Sequence, residues 1–109
     1  MKKYSQWQAR GHVADGLIEI LQNNGFKKSW LWPITKKLFS EGVSVKYTYD
    51  QYGPYGTEHT IDSATTEVVL KASSSEKALP VYRVIRDYVI NNCGWVNSQE
   101  EPELFKLSN

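Results

Sequence analysis

A carboxylate, an imidazole and a second carboxylate lie close together at Glu58, His59 and Asp62, the densest local grouping of acid–base types in the chain. Such a set supports general acid–base catalysis or contributes ligands to a metal. It follows directly on Gln-Tyr-Gly-Pro-Tyr-Gly (51–56), a glycine–proline turn, where polar residues are what solvent exposure alone selects. The remaining histidine is His12, so a His-rich metal site would need both histidines plus a carboxylate, and His12 alone suits packing or capping near the first helix. Cys93 precedes Gly94 at an expected helix C-terminus, whose partial negative charge disfavours the thiolate that nucleophilic chemistry needs. A glycine-rich phosphate loop, a paired-histidine metalloprotease motif and an acidic calcium loop are all absent from the sequence. The chain is therefore expected to be no enzyme, with no catalytic residue, cofactor or metal.

Charge and aromatic rings are the residues left to act. The formal net charge is +1, but it is divided. Residues 1–47 carry eight Lys and Arg against three acids, +5, and residues 48–109 carry five against nine, −4. Lys27, Lys28, Lys36 and Lys37 are the candidates for contact with a polyanion. The aromatics cluster too: Trp30 and Trp32 flank Leu31, and Tyr47, Tyr49, Tyr52 and Tyr55 fall within nine positions. Tyr and Trp join a large apolar body to a polar tip and are enriched in binding hot spots. Trp30, Trp32, Tyr52 and Tyr55, at turns or element ends, are the candidate partner-binding residues.

These residues must be held by a single α+β domain over 1–96, followed by an acidic tail over 97–109. Val13, Leu17, Ile20 or Leu21, and Asn24 recur at helical spacing, and Gly25 supplies a stop. Pro33 suits the first turn of a second helix that carries Ile34 and Leu38 and ends at Gly42. Val43, Val45, Tyr47 and Tyr49 alternate strictly with Ser44, Lys46, Thr48 and Asp50, the pattern of a half-buried antiparallel strand. Thr57 to Asp62 suggests a short return strand, and Thr65 to Ala72, rich in β-branched residues, another. Ser73 and Glu76 have capping-box spacing before a long helix that runs to about Cys93, although Pro80 favours a later start. In the tail, Leu104, Phe105 and Leu107 suit docking onto the domain. The expected fold is thus two N-terminal helices, a small antiparallel sheet of two to three strands, and a long C-terminal helix packed on it.

Two functions fit this frame. Helices near 12–24 and 33–41 before a strand pair read as a winged helix, with Lys36 and Lys37 on the recognition helix and 51–56 as the wing. From Pro33 the order helix, three strands, helix also resembles the double-stranded RNA-binding domain over residues 33–92, in the placement of Tyr47 to Pro54, His59, Ser75, Lys77 and Ala78. That resemblance implies phosphate contacts from lysines at the start of the last helix. Glu76 and a single Lys77 stand there instead, so the chain is not assigned to that family. The first reading is therefore a small non-enzymatic protein acting by protein–protein contact, in the style of bacterial or phage inhibitors, immunity proteins and antitoxins. Nucleic-acid binding through the basic half is the alternative. With 109 residues, 40% of them apolar, one cysteine, and no leader or membrane-length apolar run, the expected setting is cytoplasmic, without disulfides or membrane contact.

Overall fold

The computed structural model describes residues 1–10, 16–31, 35–50, 65–94 and 96–108. The elements run β1 (Lys2–Arg10), α1 (Gly16–Asn23), β2 (Lys27–Leu31), β3 (Thr35–Ser40), β4 (Val43–Asp50), β5 (Thr65–Ala72), α2 (Ser75–Asn92), β6 (Val96–Glu100) and α3 (Pro102–Ser108). One six-stranded sheet holds all the described strands in the order β2-β3-β4-β5-β1-β6, with every neighbouring pair antiparallel. Strands β2 to β5 form a meander. β1 inserts beside β5, and α2 carries the chain across it to β6.

This corrects the expected fold. Among the described residues there is no pair of N-terminal helices, the sheet has six strands, and the long helix α2 lies mid-chain between β5 and β6. The segment from Pro33, read as a second helix, forms β3 from Thr35 onward. Leu38 is fully buried while Lys37 and Phe39 are exposed, the alternation of a strand with one face in the core. β1 carries no clear strand pattern in the sequence, because its buried positions Ser5, Trp7 and Ala9 mix small, polar and aromatic types and a bulge shifts the register between Lys3 and Ser5. The extra residue, Tyr4, is also buried, so the alternation breaks at the strand's start. Within 97–109, residues 97–100 belong to β6 and the Leu104 side chain is fully buried in the core.

The core lies on one face of the sheet. Trp7 and Ala9 from β1, Val68, Leu70 and Ala72 from β5, Val43, Val45 and Tyr47 from β4, and Leu38 from β3 form its floor. α1 covers this floor with Leu17, Ile18 and Leu21, and α2 with Ala78, Tyr82, Ile85 and Val89. Trp7 stacks at a tilt on Tyr82, ring centroids 5.6 Å apart. Burial raises the Tyr82 phenol above its ordinary pKa, helped by its hydrogen bond to Glu100.

Local signals set the ends of these elements. Gly25, at φ 91°, closes α1 as expected: its N–H donates to the Gln22 carbonyl at 3.0 Å and that of Phe26 to the Leu21 carbonyl at 3.1 Å. α2 is capped by Ser74, whose hydroxyl accepts from the Lys77 N–H at 3.3 Å, one residue later than the expected Ser73 cap. Pro80 stands inside α2. Its missing N–H leaves the Glu76 carbonyl without a helical donor, at an exposed position where water can serve.

Gly42 closes the β3–β4 hairpin at φ 74°. An added Cβ there would meet Lys77 Cδ and Nζ at 2.8 Å and Ser73 Oγ at 2.9 Å. Gly42→Ala is expected to lose about 1–2 kcal/mol, chiefly from forcing an L-residue into the left-handed region. Urea unfolding measures this, and an unchanged midpoint would contradict the turn geometry.

Candidate functional site

The described helices all pack on one side of the sheet, and no described element lies over the other side, the open face, on which Ser44 and Val69 are themselves buried. Four rows of residues lie on that face, each built from cross-strand neighbours. Lys3, Lys71, Ser44, Phe39 and Lys27 run from β1 to β2. Gln99, Gln6, Val69, Lys46, Lys37 and Ser29 run from β6 to β2. Asn97, Gln8, Glu67, Thr48, Thr35 and Leu31 form the third row, and Arg10, Thr65 and Asp50 a shorter fourth, Leu31, Arg10, Thr65 and Asp50 being placed by their backbones alone. At roughly 4.8 Å between strands, the face is about 24 Å wide.

Its charge is lopsided. Among the described side chains Lys3, Lys27, Lys37, Lys46 and Lys71 are exposed against the carboxylate of Glu67, a formal +4 on a chain whose total is +1, while Arg10 and Asp50, placed on the same face by their backbones, cancel in charge. Among the described residues none of the five forms an ion pair, and Glu67 is engaged as acceptor of the Gln6 amide at 2.9 Å. Lys37 stands directly opposite Lys46, and Lys3 directly opposite Lys71. Like charges in directly opposed positions destabilise a sheet. Two such pairs on one open face form a field that an anionic ligand would relieve.

One end of the face has a different chemistry. Gln6 pairs with Gln99 and Gln8 with Asn97, so four amides form a two-by-two block at the β1–β6 edge, around a shallow recess of about 90 Å³. Gln6 is held on both sides, its Nε2 donating to Glu67 and its Oε1 accepting from Lys3 Nζ at 3.1 Å. Gln8, Asn97 and Gln99 are exposed and make no side-chain hydrogen bond among the described residues. At the other end Phe39, 40% exposed, borders a cavity of about 310 Å³ that it lines with Gly25, Lys27, Ser40 and Glu41.

The four lysines singled out in the sequence are divided. Lys27 and Lys37 belong to the open face. Lys28 and Lys36 stand in rows with the core residues Leu38 and Tyr47, on the helix-bearing side. Both lysines read as part of a recognition helix, Lys36 and Lys37, lie on strand β3, which removes the winged-helix arrangement. The same strand replaces the first helix on which the likeness to the double-stranded RNA-binding domain depended. Trp30 is placed by its backbone alone, as the β2 partner of Lys36. Trp32, Tyr52 and Tyr55 lie outside the described residues, as do His12 and the Glu58, His59 and Asp62 group and the expected strand 57–62.

Lys3, Lys46, Lys71 and the amide block were not anticipated. The polar alternation of β4 already assigned Lys46 to a solvent face. Nothing short of strand pairing joins it to Lys37 or Lys71.

Other chemistry is sparse. Among the described residues no group of three or more His, Cys, Asp and Glu is placed to hold a metal. Cys93 caps α2, its N–H donating to the Val89 carbonyl at 3.0 Å, and burial pushes its thiol above the ordinary value. No described helix is long and apolar enough to cross a membrane. Compared with known proteins, the chain matches no family model, no curated protein and no solved structure.

Proposed function

We propose that this chain is a non-enzymatic, cytoplasmic binding domain whose working surface is the open face of its sheet and whose partner is a nucleic acid. The observation that carries this reading is the concentration, among the described side chains of the face, of five exposed lysines against one engaged carboxylate, including two directly opposed like-charge pairs. Lysine is depleted in protein–protein interfaces, where aromatic residues and arginine prevail, whereas it serves well as a point charge for phosphate. A face rich in lysine and amides, with Phe39 as its exposed aromatic among the described side chains, follows the second pattern.

The test is a salt titration of oligonucleotide binding. Five lysine–phosphate contacts give a log–log slope of about −3.5 on a single strand, or roughly a hundredfold loss of affinity over a fourfold rise in salt. Binding that is absent at low salt, or indifferent to salt, removes this reading.

Protein contact, of the inhibitor, immunity or antitoxin kind, is the second reading. Phe39 favours it: an exposed ring beside Lys27, bordering a cavity, has the form of an anchor for an acidic protein surface. Trp30, Trp32, Tyr52 and Tyr55 keep their candidate roles in that reading. A cognate acidic partner whose affinity falls at least tenfold in Phe39→Ala, alongside no oligonucleotide binding, would establish it over the first.

A further inference from the structure

Lysines fix a backbone but carry no information about sequence, so a face that held phosphates alone would have no use for a block of four neighbouring amides beside them. Each amide offers one acceptor and one donor group in a single plane, complementary to the edge of a nucleobase. Asn and Gln match adenine in particular, through its N6 donor and N7 acceptor. On this face Gln8 and Asn97 are cross-strand neighbours, exposed and without side-chain hydrogen bonds among the described residues. Gln6 is braced between Lys3 and Glu67, so one corner of the block is fixed, and Gln99 stands opposite it. Val69 alone separates Gln6 from Lys46 in the second row. Phosphate-holding and edge-reading groups are therefore continuous across neighbouring strands.

Shape decides which nucleic acid can use both. In B-form DNA the base edges lie at the floor of a groove about 8.5 Å deep, which a face some 24 Å wide cannot enter. The edges of unpaired bases are free to approach a flat surface. We propose that the amide block at the β1–β6 edge reads the base edges of a single-stranded nucleic acid, with a preference for adenine, while the lysine rows hold its backbone. This rests on the assignment of the open face as the nucleic-acid-binding surface.

The experiment compares fluorescence anisotropy of labelled oligo-dA, oligo-dT and oligo-dC with that of a mixed-sequence duplex of equal length, for the full chain and for Gln8→Ala, Asn97→Ala and their combination. Oligo-dA is expected to bind about tenfold more tightly than the other two strands, the discrimination of one bidentate contact, and more tightly than the duplex. The combined variant should bring oligo-dA to the level of oligo-dT without changing the salt slope. Both positions are exposed, so retained thermal unfolding will show that the fold is intact. Equal affinity for the three strands, a stronger affinity for the duplex, or a preference that survives the combined variant overturns the inference. Salt-dependent but base-blind binding overturns it while leaving the nucleic-acid reading standing. Binding to polyglutamate with none to any oligonucleotide overturns both and selects the acidic protein partner.

Discussion

Lys46→Glu is expected to strengthen the fold and weaken the ligand. In the native sheet Lys46 on β4 and Lys37 on β3 are direct cross-strand neighbours, both exposed and without an ion-pair partner among the described residues. Reversing one charge replaces a repulsion with an attraction, worth about 0.2–1 kcal/mol in a directly opposed pair. For a domain of this size that is a rise in Tm of about 1–6 °C. The same change takes the face from +4 to +2 at its centre, and oligonucleotide affinity at low salt should fall at least tenfold. Lys37→Glu in the same chain then restores a like-charge pair: the gain in stability disappears while binding falls again. Thermal unfolding and anisotropy on the three variants measure both quantities. If Lys46→Glu left affinity untouched, the face would not be the working surface, and if it lowered stability, the opposed lysines would not be in repulsion.

Trp7→Ala is expected to take away about 3–5 kcal/mol, the largest loss from any single truncation of the core. Trp7 is 1% exposed and is the largest fully buried side chain in the described structure. It sits on β1, between β5 and β6, where it meets Tyr82 of α2, so its removal opens a cavity where the sheet, the long helix and the last strand converge. Domains of this kind hold only about 5–15 kcal/mol in total, so the variant should unfold at markedly lower urea, or fail to fold near body temperature. Trp7→Phe, which retains an aromatic partner for Tyr82, should recover a large part of the loss. A Trp7→Ala midpoint within the error of the parent chain would mean that β1 is not a central strand.

The sequence was most informative where one local pattern agreed with its surroundings. The strict alternation from Val43 and the β-branched run from Thr65 correspond to β4 and β5 residue for residue, and Gly25 closes α1. It misled where one segment satisfies two patterns. Ile34 and Leu38 are four apart and follow a proline, as a helix would have them, yet β3 is held between β2 and β4 by pairing that outweighs any local preference. At β1, whose buried positions mix aromatic, small and polar types, and at β6, which buries no residue, the apolar period is weak, and the existence of both strands depends on partners far away in the chain.

Composition by itself determined that cations are plentiful in the first half and acids in the second, that aromatics exceed what their solitary placement would explain, and that the opposed charges sum to +1. It could not determine which cations act together. On a helix, adjacent lysines such as Lys36 and Lys37 would share one broad polar face, but successive side chains on a strand point to opposite sides. The tertiary structure therefore parts Lys36 from Lys37 and Lys27 from Lys28, and joins Lys37 to Lys46, Lys71 and Lys3, drawn from four strands. The strand period selects the lysines of the open face, and the order of strands in the sheet places them side by side.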